Sequence, residues 1–274
     1  MATINTNPGA MIALQNLNKT NTDLQQVQQR ISTGLAVSSA KDNGGIYAIA
    51  QGMRADVGAY KAVSNSLDLA VSTVDVALAA GEAISDLLVE MKEKALAASD
   101  TSLDTASRNA LNEDFKALRD QISTIVSNAE FNGTNLISNG AADITALASA
   151  DGNNVITIQN EDLSLTGSTL TIAATTQINT ATNASNAASA IGTSLDNLNS
   201  ALARLGTGAK SLEVHKTFVS KLSDALETGI GNLVDADLAK ESARLQSLQV
   251  KQQLGIQALS IANSAPSSIL GYFR

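Results

Sequence analysis

Proline occurs at only two of the 274 positions, Pro8 and Pro266, and each lies close to an end of the chain. Proline fits the first turn of an α-helix and the residues just past its last turn, whereas it breaks a helix interior. We therefore expect one helix to begin near Pro8 and another to end before Pro266. The long proline-free interior can form uninterrupted helices.

Apolar side chains in this interior repeat with the alternating three- and four-residue steps of a coiled-coil seam. The first seam contains Met53, Val57, Tyr60, Leu67, Val71, Val74, Leu78, Ile84, Leu88, Met91 and Ala95. The second contains Leu111, Phe115, Leu118, Ile122 and Ile125. The third contains Ile191, Leu195, Leu198, Leu202, Leu205, Ala209, Leu212, Val219, Leu222 and Leu226. They predict three long helices that pack as a bundle, the first from about Ile46 to Ser99 and the second with Asp104 as its N-cap.

The heptad pattern is interrupted between Phe131 and about Ala190, where Gly, Asn, Thr and Ser become frequent. Two stretches in this region, "NNVITIQ" and "STLTIAA", place β-branched residues between turn-forming residues. Such runs are typical of short β-strands. The sequence therefore predicts a small β-containing excursion between the second and third helices.

Both ends of the chain lack charged side chains, from Met1 to Asn18 and from Gln252 to Phe273, yet both carry apolar stripes. The N-terminal stripe consists of Ile4, Met11, Leu14, Leu17, Leu24, Val27 and Ile31. The C-terminal segment has two stripes, one of Leu238, Leu245, Leu248 and Leu259, the other of Val250, Leu254 and Ile261. A surface helix of a globular protein needs only one apolar face. Since no further core of comparable size is available, we expect these stripes to contact other chains.

The charge, cysteine content and hydropathy of the chain exclude several kinds of partner and site. The net charge of −8 and the absence of a basic patch argue against a nucleic-acid partner. The chain has no cysteine, which excludes disulfides and thiolate metal sites. It has no run of 18 apolar residues and no secretory signal pattern, so we expect neither membrane insertion nor export through a cleaved signal.

No catalytic, metal or cofactor site is visible in the sequence. His215 is the only histidine, and we interpret it as a partly exposed helix residue. The stretch "GTGAKS" at 206–211 resembles a phosphate-binding loop only in part, because Ala209 replaces a required glycine and the stretch lies in a helical seam. Asp235 and Asp237 could serve as acid and base, but we expect them in the first turn of the last helix, where the helix dipole favours carboxylates.

Three stretches resemble the bacterial flagellin family. "LQNLNKTNTDLQQVQQRISTGLAVSSAKDNGGIYAIA" (Leu14–Ala50) is similar to the family's N-terminal signature, with Ile31 where leucine is usual. "EFNGTNLI" (Glu130–Ile137) resembles the turn that closes the second bundle helix. "DADLAKESARLQSLQVKQQLGIQALSIANSAPSSILGYFR" resembles the C-terminal signature, from which Ser264 and the ending Gly271–Phe273 depart. The resemblance covers about 1–140 and 185–274.

This resemblance implies a mainly α fold, a long antiparallel helical bundle or coiled coil whose N- and C-terminal helices pair, with a small β-containing excursion. Residues 1–45 and 230–274 would form the inner core of a filament and line its channel with uncharged side chains. Residues 46–130 and 185–229 would form the bundle, and 131–184 a short, variable region facing solvent.

The implied function is that of a structural subunit of the bacterial flagellar filament, a hollow helical polymer used for motility. The protein would be secreted through the flagellar type III export apparatus into the extracellular filament, with an export chaperone at its C-terminal helix. Further implied partners are other copies of the chain, other flagellins, and the hook-associated and cap proteins. No cofactor is implied.

Flagellins that activate the innate immune receptor for this family carry an arginine-containing patch on the bundle. The corresponding stretch here, "MKEKALAAS", contains Met91, Glu93, Lys94 and Leu96, with Glu93 about where the arginine is expected. The resemblance therefore predicts weak or absent receptor activation.

Two alternatives remain open. A hook–filament junction protein shares the terminal helices but would stop at a ring of limited copy number. A secreted effector or enzyme built on a coiled coil would need catalytic residues, which we do not find.

Overall fold

The computed structural model describes residues 6–270, and the side chains of 6–264 within that range. The described chain forms α1 (Pro8–Thr33), α2 (Gly44–Ala98), α3 (Thr105–Asn128), β1 (Glu130–Phe131), β2 (Thr134–Asn135), β3 (Ile144–Leu147), β4 (Val155–Ile158), α4 (Ala181–Val234) and α5 (Leu238–Leu270). The predicted mainly α fold with a small β excursion is confirmed.

Two compact units divide the chain. The terminal unit comprises Met1–Ala55 and Asp224–Arg274, and the bundle unit comprises Asp56–Ser223. Both α2 and α4 contribute residues to each unit.

In the terminal unit, α1 begins at Pro8 as expected from the sequence. The side chain of Asn7 caps it, accepting a hydrogen bond from the Ala10 amide at 3.1 Å. Gly34 ends the helix in the left-handed conformation with φ of 73°, and its amide donates to the Arg30 carbonyl. Pro8 and Gly34 are thus placed where their backbone preferences favour a helix start and a helix end.

The expected end of the last helix before Pro266 is wrong, because α5 continues to Leu270. A proline in a helix has no amide hydrogen for the carbonyl four residues earlier, which here belongs to Ala262. The Asn7 side chain supplies the missing donor, since its Nδ2 lies 2.6 Å from the Ala262 oxygen. A contact between the two ends of the chain therefore lowers the cost of Pro266 within the helix.

The bundle unit has one continuous apolar core formed by α2, α3, α4 and the excursion. Its largest fully buried side chains include Leu67, Ile84, Leu88, Met91, Phe115 and Ile122. From α4 it contains Ile191, Leu198, Leu205, Leu212 and Val219. These residues belong to the three predicted seams, which confirms the heptad interpretation. Asp104 caps α3 as expected, with its carboxylate accepting from the Ser107 amide.

The excursion contains two antiparallel hairpins. β1 and β2 are joined by Asn132 and Gly133, whose φ values of 50° and 79° suit a tight two-residue turn. β3 pairs with β4, with Ile144 opposite Ile158 and Leu147 opposite Val155. "NNVITIQ" therefore contains the expected strand.

The second expected strand, "STLTIAA", is absent from the described sheets. Its backbone groups instead bond to side chains of α4. The Thr171 amide donates to Ser194 Oγ at 3.0 Å, and Asn197 Nδ2 donates to the Thr169 carbonyl at 3.2 Å. Because α4 supplies these partners, the segment remains a loop packed on a helix.

The "GTGAKS" stretch lies within α4 and serves packing. A Cβ at Gly208 would lie 2.8 Å from Cδ1 of the buried Ile158, so the absence of a side chain lets β4 approach the helix. The helix also lacks the strand-to-helix turn of a phosphate-binding loop. The structure thus agrees with the interpretation of 206–211 as part of a helical seam.

Candidate assembly surfaces of the terminal unit

The terminal helices α1 and α5 run antiparallel and are joined by polar contacts along their length. Near one end, Asn7 bonds to Ala262, as described above. Further along, Gln252 Nε2 donates to Asn21 Oδ1 at 2.8 Å. Uncharged amides thus link the part of the pair in which the sequence has almost no charge.

At the other end of the pair, Arg30 Nη1 lies 3.1 Å from Glu241 Oε1. The two side chains are 25% and 11% exposed, so the ion pair is shielded from most of the solvent. Arg30 Nε and Glu241 Oε2 are buried without a hydrogen-bond partner. An ion pair this shielded fixes the register of the helices, because separating it would leave a charge in a poorly hydrated position.

Gly255 lets the two helices approach closely between these contacts. A Cβ at this position would lie 3.2 Å from Cδ1 of Leu17, tighter than an ordinary van der Waals contact. Glycine weakens an isolated helix by about 1 kcal/mol relative to alanine. Its place in α5 is therefore explained by packing against α1.

The predicted stripe residues divide into three groups by exposure. Val27 and Leu248 are buried, whereas Leu17, Leu24, Leu245, Leu259 and Ile31 are half-buried. The exposed group consists of Met11, Leu14, Leu238, Val250, Leu254 and Ile261. Ile4 lies outside the described residues. The pair of helices therefore uses only part of its apolar surface internally.

Large exposed side chains concentrate on this pair. Ile261 is 71% exposed and Met11 is 67% exposed. Ile12 and Ile256, which are not members of the predicted stripes, are also exposed, at 59% and 55%. Ile12 follows Met11, and Ile256 lies three residues before Leu259, so a wider helical stripe would have included both. Exposed apolar side chains in such number are typical of interaction surfaces.

The segments that connect α1 to α2 and α4 to α5 form a joint in the terminal unit. The amides of Ala36 and Val37 donate to the Val234 carbonyl, and the Ala236 amide donates to Gly34. Val37 and Val234 pack with Ala50 in a small separate core. The connections are therefore held to each other and not only to their own helices.

Asp42 organises the first connection. One carboxylate oxygen accepts from the amides and hydroxyls of Ser38 and Ser39 at 3.0–3.1 Å. These hydrogen bonds, the largest from the Ser38 hydroxyl, hold the pKa of Asp42 below its ordinary value. The Ser-Ala-Lys-Asp passage thus has a structural role as a closed turn.

The expectation for Asp235 and Asp237 is partly wrong. Asp237 caps α5 from just outside it, with Oδ1 accepting from the Lys240 amide at 3.0 Å. Asp235 pairs with Leu35 through a short antiparallel bridge in the joint. Glu241 is the acidic residue in the first turn of α5. Both aspartates therefore lie in the joint, before the first residue of α5.

The stretch corresponding to the receptor patch lies on α2 in the bundle unit. Met91 is fully buried, Glu93 is exposed, and Leu96 is 67% exposed. Lys94 Nζ lies 3.3 Å from a carboxylate oxygen of Asp114. The acidic Glu93 therefore faces solvent on this surface.

His215 is half-buried on α4, and its Nε2 donates to the Ala148 carbonyl at 2.7 Å. In residues 6–270 no group of three or more His, Asp or Glu side chains is arranged to hold a metal ion. None of the helices in that range combines the length and hydropathy needed to cross a bilayer.

Two family models match the chain. The bacterial flagellin N-terminal helical region matches residues 4–142, and the bacterial flagellin C-terminal helical region matches 188–273. Flagellin FljM of Caulobacter vibrioides is 56% identical over 271 residues, covering 99% of this chain and 98% of that protein. A flagellin of Brucella melitensis is 40% identical over 287 residues and covers both chains fully.

Two solved structures share the fold at low identity. A Bacillus cereus flagellin aligns with a TM-score of 0.50 at 22% identity, covering 56% of this chain and 88% of that one. A putative flagellar hook-associated protein from Vibrio parahaemolyticus aligns with a TM-score of 0.60 at 14% identity, covering 71% and 100%.

Proposed function

Because the chain belongs to the bacterial flagellin family and is a structural subunit of the flagellar filament, we propose that α1 and α5 carry the contacts that drive its assembly. One observation supports this most directly. The two helices pair with each other and still expose large apolar side chains along both.

The proposed contact residues are those of the stripes. The exposed members, Met11, Leu14, Leu238, Val250, Leu254 and Ile261, would pack against neighbouring subunits. We assign the same role to Ile4, which lies outside the described residues. The internal members, Leu17, Leu24, Val27, Leu245, Leu248 and Leu259, would hold the pair together. The uncharged Gln, Asn and Ser side chains between the stripes would line the export channel, where an unfolded chain must pass without adhering.

We assign 1–45 and 230–274 to the inner filament core, 46–130 and 185–229 to the bundle, and 131–184 to a solvent-facing region. The subunit would leave the cell through the flagellar type III export apparatus and reside in the extracellular filament. An export chaperone would cover the C-terminal helix before export. Hook-associated and cap proteins would contact the two ends of the filament.

The role is structural, and we propose no enzymatic activity and no cofactor. Thrust would be a property of the assembled helix. Heterologous contacts that do not close into a ring generate an open helical fibre, which suits unlimited growth on a seed.

We also expect weak or absent activation of the innate immune receptor for flagellin, because Glu93 presents a negative charge where an arginine is expected. A reporter-cell assay with a potent flagellin as standard measures this. Substituting Glu93→Arg should raise the response, and a wild-type response equal to the standard's would contradict the expectation.

Seeded polymerisation tests the proposal. Purified chain added to short filament seeds should give long filaments in electron micrographs, whereas a junction protein would stop at short rings. Leu254→Ser should raise the critical concentration by about 10–100-fold, since burying a leucine contributes about 1.5–3 kcal/mol and each 1.4 kcal/mol is tenfold. Gln257→Ser, which changes an exposed polar residue of the same helix, is the control. Equal critical concentrations for both variants would refute the role of the exposed stripe.

A further inference from the structure

Asparagine is followed directly by glycine at three places in the chain, Asn43–Gly44, Asn132–Gly133 and Asn139–Gly140. In this dipeptide the asparagine side chain is readily converted to a carboxylate without an enzyme, because glycine leaves its own amide nitrogen unhindered. All three asparagines are exposed to solvent. The local sequence therefore predicts similar reactivity at the three sites, and the fold decides which of them reacts.

The reaction begins when the glycine nitrogen attacks the side-chain carbon Cγ of the asparagine. A bond forms between this nitrogen and Cγ, and Oδ1 gains negative charge. The proton of the nitrogen passes through water to Nδ2, the Cγ–Nδ2 bond breaks, and ammonia leaves. Water then opens the resulting succinimide ring at either carbonyl carbon, which gives aspartate or isoaspartate. A reactive site therefore needs a nitrogen within reach of Cγ, a donor for Oδ1 and access for water.

The fold protects Asn132. Its φ of 50° lies in the left-handed region, where ψ is typically about +47°. In this conformation the amide nitrogen of Gly133 stands nearly anti to Cβ of Asn132, so Cγ cannot approach it. The turn contains only these two residues, between the paired Phe131 and Thr134, and cannot change without separating β1 from β2.

Asn139 is protected by hydrogen bonds. Its Nδ2 donates to Oδ2 of Asp162 at 2.9 Å, and its amide donates to Ser164 Oγ at 3.1 Å. The first bond retains the nitrogen that would have to leave. It also places a carboxylate beside the carbonyl that would gain negative charge, and repulsion between like charges raises the free energy of the transition state.

Asn43 is placed differently, as the N-cap of α2. Its Oδ1 accepts from the Ile46 amide at 3.2 Å, and its main-chain carbonyl accepts from the Tyr47 amide at 2.9 Å. An N-cap residue typically has an extended backbone, in which the next amide nitrogen is gauche to Cβ. The nitrogen of Gly44 is therefore within reach of Cγ of Asn43.

The start of α2 also supplies the other two requirements. The Ile46 amide and the positive end of the helix dipole stabilise the negative charge that develops on Oδ1 of Asn43. As the first residue of the helix, Gly44 has no carbonyl within α2 to accept its amide hydrogen. A Cβ on Gly44 would meet open space, so water has access to the site.

We infer that Asn43 is a site of spontaneous deamidation through attack by the Gly44 nitrogen, and that it reacts ahead of Asn132 and Asn139 in the folded chain. The inference concerns a covalent modification of the joint, at the residue that precedes α2. It does not depend on the proposed assembly through α1 and α5.

The two products differ in their effect on the joint. Aspartate at position 43 keeps the cap and adds a negative charge to a helix whose first turn, Gly44–Tyr47, contains no acidic residue. Isoaspartate lengthens the main chain, and the carbonyl that accepts from Tyr47 becomes part of a carboxylate side group. Because Tyr47 packs against the small core of the joint, isoaspartate should loosen that core.

Mass spectrometry of digests measures conversion at all three asparagines in one sample of the purified full-length chain, incubated at mildly alkaline pH. Asn43 should be converted about tenfold faster than Asn132 or Asn139, since about one hydrogen bond in the activation free energy changes a rate by that factor. In the same chain unfolded in guanidinium, the three rates should lie within about threefold of one another, because each asparagine is then followed by an unhindered glycine.

Gly44→Ala is the matched control. The added methyl group hinders the attacking nitrogen and meets open space in the fold, so conversion of Asn43 should slow by about tenfold or more. Conversion of Asn132 and Asn139 should not change. A second readout is the melting temperature, which should be lower for chains with isoaspartate at position 43 than for fresh chain or for the Asn43→Asp variant.

Conversion of Asn43 no faster than that of Asn132 or Asn139 in the folded chain would overturn the inference. The same ranking of rates in guanidinium would also overturn it, because the cause would then lie in the local sequence. An unchanged rate in the Gly44→Ala variant would exclude attack by the Gly44 nitrogen. Equal melting temperatures of fresh chain and chain with isoaspartate would contradict the predicted effect on the joint.

Discussion

Asp42 holds the turn between α1 and α2 through one carboxylate oxygen that accepts four hydrogen bonds. Its side chain is exposed, so the turn depends on this hydrogen bonding and not on burial. In the sequence, this motif is recognisable only by its resemblance to the family signature. The structure shows why an aspartate stands at this position: four donors converge on one of its carboxylate oxygens.

Asp42→Asn should lower the melting temperature at neutral pH, because the amide is a weaker acceptor than the carboxylate. The native pKa of Asp42 lies below its ordinary value of 3.8. The carboxylate's contribution is therefore complete above pH 3.8 and is lost as the pH falls through the lower native pKa. Melting curves of both proteins should converge in acid. A difference that persists or grows below this range would contradict the assignment.

The two glycines of "GTGAKS" provide a matched pair. Alanine favours a helix over glycine by about 1 kcal/mol at either position. At Gly206 the new methyl group meets open space, whereas at Gly208 it meets Ile158. The Gly206→Ala variant should therefore be more stable than the wild type. The free energy of unfolding of the Gly208→Ala variant should be about 1–3 kcal/mol lower than that of the Gly206→Ala variant. Urea unfolding measures both, and equal stabilities would show that β4 does not pack closely on α4.

At the scale of elements, the seams predicted α2, α3 and α4 because burial repeats with the helical period. Met91, Phe115 and Leu212 were all placed correctly on buried faces. The strand expected in "STLTIAA" was wrong because the local pattern cannot show that Ser194, 23 residues further along the chain, accepts a hydrogen bond from the Thr171 amide. The local sequence pattern was sufficient to predict the helices, whose positions depend on burial in the core. It was insufficient for a segment whose backbone conformation depends on a hydrogen bond with a side chain of another element.

The end of α5 shows the same limit. Proline rules predicted an early end, and the compensating donor, Asn7, lies 255 residues away in sequence from Ala262. Likewise, the stripes were visible as patterns, but which members face the partner helix was not. Val27 and Leu248 are buried while Val250 is exposed, a difference that depends on how α1 and α5 pair.

A double-mutant cycle tests the compensation at Ala262. Asn7→Asp keeps an acceptor for the Ala10 amide but cannot donate to Ala262. Pro266→Ala supplies a backbone donor to the same carbonyl. The cost of Asn7→Asp should therefore be smaller in the Pro266→Ala background, with a coupling of about 0.5–1.5 kcal/mol in the free energy of unfolding. Strict additivity would show that the Asn7 hydrogen bond does not compensate for the proline.

Over the chain as a whole, the two units differ in how they are stabilised. The bundle unit has a large continuous core, including residues of the excursion, and can be stable by its own packing. The terminal unit has a small core around Val37, Ala50 and Val234 and leaves much of its apolar surface exposed. Its stability should therefore depend on neighbouring subunits, as expected for a segment that gains burial on assembly.

Assembly through α1 and α5 is best tested by seeded elongation of a chain that lacks Gln252–Arg274. This mode of assembly predicts long filaments from the complete chain and none from the truncated one, although the bundle unit should keep its helical circular dichroism and cooperative melting. Long filaments from the truncated chain would contradict it, and would show that contacts outside the C-terminal half of α5 are sufficient for assembly.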